Sequence, residues 1–97
     1  MTRQALAAAI GATLIAAAAA ASADPPAGAV SCSGCHATSP RVVTPVPRLA
    51  GQDPAAIVRA MQEFRSGQRA GTVMDRIAKG FTDDEIRAIA AWYAAGR

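Results

Sequence analysis

Apolar residues run through this chain in more than one rhythm. From Ala5 to Ala21 they are almost continuous, interrupted only by Gly11 and Thr13. Further on they become periodic: Ile57, Met61 and Phe64 recur at i, i+4, i+7 with Val58 beside them, which is the stripe of an amphipathic helix. Asp53-Pro54 supplies a start, a capping side chain followed by proline at the first helical position, and Ser66-Gly67 an end. Ile86, Ile89, Ala90 and Tyr93 repeat the stripe behind Thr82-Asp83-Asp84-Glu85, a capping box with aspartates in the dipole-favoured first turn, and Gly96 stops the run. A short helical piece is predicted from Asp75 to Lys79, closed by Gly80. Between Ala37 and Gly51, Pro40, Pro45 and Pro47 rule out a sustained helix or a central strand. No alternation of period two reaches useful length, so the fold class is all-α.

The continuous apolar run reads as an address. Arg3 forms its positive start, the alanine-dominated stretch its hydrophobic centre, and Ala21-Ser22-Ala23 a small-x-small cleavage site. The chain therefore divides into a cleaved secretory signal peptide, 1–23, and a single domain, 24–97, exported in a bacterium to the periplasm. Retention of the leader as an anchor is the competing reading, disfavoured because alanine is weakly apolar and a spanning helix takes about 20 strongly apolar residues. The mature form then carries no membrane span. The leader also inflates the 52% hydrophobic content, and losing Arg3 takes one unit from the formal charge of +3. An excess that mild, with no dense basic run interleaved with aromatics, excludes a nucleic-acid partner. A domain this small buries only about 60% of its unfolded surface, and such domains often need a staple.

Cys32-Ser33-Gly34-Cys35-His36 offers one. The C-x-x-C-H spacing is that of covalent haem c attachment: the two thiols bond two vinyl groups at one porphyrin edge, and the adjacent imidazole reaches the iron as proximal ligand. A closed zinc site needs four ligands, and the only two cysteines and the only histidine stand side by side here. A thioredoxin-like redox pair needs a βαβ context that the chain lacks. A structural disulfide across so small a ring would staple almost nothing. A thiol-disulfide redox protein without haem stays as the alternative from another class.

With no second histidine, methionine is the remaining candidate for the other axial position. Met1 leaves with the leader. Met61 lies on the helical stripe, where methionine is usually core filler. Met74 lies in Gly71-Thr72-Val73-Met74, a loop free to carry a thioether across a ring face, and is the favoured ligand; an open site that binds small ligands is the residual reading. Arg41, Arg48, Arg69, Arg76 and Lys79 flank these segments and could form a cationic rim that steers an acidic redox partner. Trp92 and Tyr93 read as core and haem-contact residues.

The attachment motif, Pro47-Arg48-Leu49-Ala50-Gly51 and a methionine ahead of a C-terminal amphipathic helix resemble a class I cytochrome c over essentially the whole of 24–97. The block from Arg69 to Ile86, with the opening Asp24-Pro25, is similar to the mono-haem cytochrome subunit of flavocytochrome c sulfide dehydrogenase. The resemblance implies a small all-α fold wrapped around one covalent haem c, thioethers at Cys32 and Cys35, axial ligands His36 and Met74, and the Pro47 carbonyl accepting the other ring N–H of His36. It implies electron transfer rather than catalysis, with no catalytic residue and a flavoprotein subunit as partner in a heterodimer. A free mono-haem carrier between larger complexes is the alternative. Because few residues separate the cleavage site from Cys32, the N-terminal helix of such a fold must be short here.

Overall fold

The computed structural model describes residues 24–96, and the proposed signal peptide lies outside the described residues. Four α-helices follow in order: α1, Ala29–Cys32; α2, Pro54–Ser66; α3, Met74–Ile77, continued by a 3-10 turn, Ala78–Gly80; and α4, Asp83–Ala94. No strand occurs among the described residues, in agreement with the all-α expectation.

The two long helices begin and end where their punctuation put them. The Asp53 side chain accepts from the Ala55 N–H at 3.0 Å with Pro54 at the first position, and Gly67 closes α2 in the left-handed region at φ 83°. At α4 the capping box is complete: Thr82 Oγ1 accepts from the Glu85 N–H at 3.2 Å and Glu85 Oε1 from the Thr82 N–H at 2.9 Å. Arg65, in the last turn of α2, pairs with Asp83 and donates to the Phe81 carbonyl at 3.3 Å, so the end of α2 is tied to the start of α4.

α1 is as short as expected. Gly28 precedes it at φ 84°, and the chain then keeps turning: Ser33, Gly34 and Cys35 donate to the carbonyls of Val30, Ser31 and Cys32. The core joins α1 to the long helices through Ala29, Ile57, Ile89, Ala90 and Tyr93, with Leu49, Val58, Phe81 and Trp92 packed against them. Among the described residues Ile86 is the one large side chain that is fully buried. A core so small cannot by itself supply much stability, and most of the inward face of α2 is turned to a cavity instead.

Candidate haem site

That cavity has a volume of about 820 Å³, toward the upper end of the roughly 300–1,000 Å³ typical of small-molecule sites. Its lining draws on every element. Cys32, Cys35 and His36 come from α1 and the turn after it, Pro47, Leu49 and Gln52 from the proline-rich loop, and Ile57, Met61 and Phe64 from α2. The segment Arg69 to Met74 contributes throughout, as do Ile77, Phe81, Ile86 and Ile89. The helical stripes read from periodicity are thus divided. On α4, Ile86 faces the cavity, Ala90 and Tyr93 belong to the core against Ala29, and Ile89 touches both.

The turn holding the two cysteines explains how Cys32, Cys35 and His36 share one site. The His36 N–H donates to the Cys32 carbonyl at 2.9 Å, an i to i+4 bond that stacks His36 one helical turn beyond Cys32. The His36 ring then meets Pro47: Nδ1 lies 2.6 Å from the Pro47 carbonyl oxygen. A carbonyl can only accept, so Nδ1 carries the proton and donates, leaving the Nε2 lone pair for a metal. This is the contact that the family resemblance implies.

No disulfide joins Cys32 and Cys35; the first is half-buried and the second exposed. Cys32 Sγ lies 3.7 Å from the Gly28 carbonyl, and burial pushes its thiol above the ordinary value. Among the described residues no group of three or more His, Cys, Asp or Glu side chains is gathered to hold a metal ion.

Met61 and Met74 both line the cavity. Met74, expected in a loop, is instead the first residue of α3, which fixes its backbone by the Arg76 and Ile77 N–H groups donating to the Val73 carbonyl. Neither Trp92 nor Tyr93 lines the cavity; Tyr93 is in the core, its hydroxyl donating to the Ala29 carbonyl, and Trp92 packs against that core. Of the rim cations, Arg69 lines the cavity and Arg48 is half-buried, with its Nε shielded from solvent and without a hydrogen-bond partner. Arg41, Arg76 and Lys79 are exposed.

An imidazole with its Nε2 free, thioether donors, two thiols and apolar walls form a donor set and a surface that fit a flat, mostly apolar tetrapyrrole. Comparison with known proteins bears on the same point. The chain is 34% identical over 68 residues to cytochrome c-554(548) of Halomonas halodenitrificans, matching 66% of this chain and 82% of that protein. The chain belongs to the class I cytochrome c family. Its cofactor is accordingly covalent haem c.

Other cytochromes align with comparable coverage of this chain. It is 41% identical over 64 residues to the cytochrome subunit of sulfide dehydrogenase of Chlorobaculum tepidum, and 34% over 64 residues to cytochrome c-552 of Acidithiobacillus ferridurans. This cytochrome spans 58% of the length of the first and 28% of the second. No family model matches the chain. No helix among the described residues is long and apolar enough to cross a membrane.

Among the contributors to the cavity that went unread in the sequence as site residues are Gln52 and Phe81. Neither belongs to a recognisable spacing; each arrives because a turn or cap places it there.

Proposed function

We propose that this cytochrome is exported through cleavage of residues 1–23 and works in the periplasm as the haem subunit of a sulfide-oxidising flavoprotein, itself non-catalytic. The observation that carries the haem chemistry is the convergence of His36, Met74, Cys32 and Cys35 on one cavity, with the His36 Nδ1–H engaged by Pro47. Cys32 and Cys35 would hold the porphyrin through thioether bonds, and His36 Nε2 and the Met74 thioether would be the ligands offered to its iron. When bound, haem c supplies a one-electron Fe(II)/Fe(III) couple.

The residues act on that couple in separable ways. Pro47 keeps the imidazole oriented and basic by accepting its Nδ1–H, as metal-bound histidines generally require. Met74, a soft and weakly donating ligand, favours the reduced state. Ile57, Phe64, Ile86 and Ile89 exclude water, which also disfavours the more highly charged oxidised form. The potential is therefore raised relative to a bis-histidine site.

Similarity to the C. tepidum sulfide dehydrogenase subunit supports a docked partner. So do Val30, Val42 and Val43, exposed apolar side chains on and after the short helix that holds the cysteines. The exposed Arg76 and Lys79 fit an acidic contact surface on that partner.

Size-exclusion chromatography of the chain coexpressed with its neighbouring operon products, read at haem and flavin wavelengths, tests the assignment. Coelution at low and high salt is expected. A haem peak of monomer size, with contact to any partner lost on adding salt, would identify a free carrier instead.

A further inference from the structure

The geometry points to Arg69 as the positioning residue that holds the Met74 thioether in place, by tying the segment before it to α2. This rests on the reading of Met74 as axial ligand.

The segment from Gly67 to Val73 belongs to no helix, and it joins the end of α2 to the residue on which the second axial bond depends. Such a stretch has conformational freedom to lose each time the thioether settles. Three contacts remove that freedom, all at Arg69. Its N–H donates to the Glu63 carbonyl at 3.1 Å; its guanidinium reaches Glu63 Oε2 through Nε at 2.9 Å and Nη2 at 2.8 Å; and Arg69 Cζ lies 5.5 Å from the centroid of the Phe64 ring. Among the described residues Arg69 is the last before Met74 to hydrogen-bond back to α2.

Phe64 is the pivot. It lines the cavity, Arg69 stands over its ring, and Gly71 lies against its edge, so close that a Cβ built on Gly71 would come within 3.0 Å of Phe64 Cε1. The loop is thus wrapped around a cavity-wall residue, and Arg69 closes the wrap. Glu63, within α2, serves here as anchor. Loosening this tether leaves the attachment of haem at Cys32 and Cys35 untouched but lets Met74 leave the iron more often.

Cyanide binding to the ferric holoprotein reads that event, because cyanide enters only when the thioether is off. Arg69→Gln and Glu63→Gln should each bind cyanide about tenfold faster than the parent, the size expected of a part-exposed ion pair combined with a cation–π contact. The red thioether charge-transfer band should bleach at lower temperature in both. The double variant should add little to either single one, since both cut the same link. Gly71→Ala, which crowds the Phe64 ring, is a second route to the same loosening and reads the loop if an Arg69 variant fails to mature. Arg87→Gln breaks an exposed pair with Asp84 on α4 and should behave as the parent.

Arg69→Gln and Glu63→Gln within twofold of the parent would overturn the tether, as would an equal effect from Arg87→Gln. Met74→Ala separates the two assignments. Retention of the band in that variant would remove the ligand reading itself. Loss of the band there, with parent kinetics in Arg69→Gln and Glu63→Gln, would remove the tether alone.

Discussion

Tyr93, in the last turn of α4, donates its hydroxyl hydrogen to the carbonyl of Ala29, the first residue of α1, across 64 positions of sequence and between two buried groups. One bond thereby joins the turn that carries both cysteines to the terminal helix. Gly51, at the end of the proline-rich loop, adds to it by donating to the Tyr93 carbonyl at 3.0 Å. Three segments that surround the cavity meet at this tyrosine, and burial raises its phenol above the ordinary value accordingly.

Tyr93→Phe should therefore destabilise the holoprotein by about 1–3 kcal/mol, because the Ala29 carbonyl is left buried without its donor. Chemical denaturation followed at the haem band measures this. A change below about 0.5 kcal/mol would show that the hydroxyl is dispensable.

Gly28 and Gly67 separate two effects that usually come together. Both sit at positive φ, 84° and 83°, so an alanine at either meets the same backbone penalty, about 1–2 kcal/mol. At Gly67 a Cβ meets nothing, whereas at Gly28 it would lie 2.6 Å from Cε1 of Phe81. Gly28→Ala should cost clearly more than Gly67→Ala in thermal or urea unfolding, the excess measuring how firmly Phe81 is packed against the core.

The N-terminus of α4 sets an acid limit. Hydrogen bonding to Arg65, then its positive charge, holds Asp83 below its ordinary 3.8, and hydrogen bonds from Thr82 hold Glu85 below its ordinary 4.5. Depressed carboxylates contribute stability that is present above the unfolded values and lost as pH falls through the lower folded ones. Melting temperature should decline as pH drops through and below about 4. Asp83→Asn or Glu85→Gln should flatten that slope, which a melting series over pH would reveal.

Single replacement of Cys32 or Cys35 by alanine should leave haem more readily extracted by acid and solvent than from the parent, each variant retaining one thioether. Mass of the matured polypeptide distinguishes covalent from merely associated cofactor. Equal, undiminished retention in both variants would contradict attachment at two points.

Met61→Leu and Met74→Ala should differ in kind. The first trims the wall of the cavity and should keep the red charge-transfer band, while the second should lose it and open the ferric site to cyanide. The reverse outcome would transfer the axial role to α2.

Much of this architecture is legible before any coordinates. Asp53-Pro54, Ser66-Gly67 and the Thr82–Glu85 box are local devices: each satisfies backbone groups within a few residues, so the boundaries of α2 and α4 follow from the chain alone. The attachment motif is local in the same sense, its five residues closing on themselves through the bond from His36 to the Cys32 carbonyl. The family resemblance, too, is carried by these short blocks.

What only the folded chain decided is non-local. Periodicity placed Ile86, Ile89, Ala90 and Tyr93 on one stripe but could not divide it between cavity and core, because that division depends on where α1 lands. It could not send Tyr93 to Ala29. Nor could it show that Arg69, one of several exposed cations by composition, turns back across the Gly67 cap onto Glu63 and Phe64. Short-range rules specify hydrogen bonds and turns; which side chains share a space is set by distances between elements, and those exist only once the chain has closed on itself.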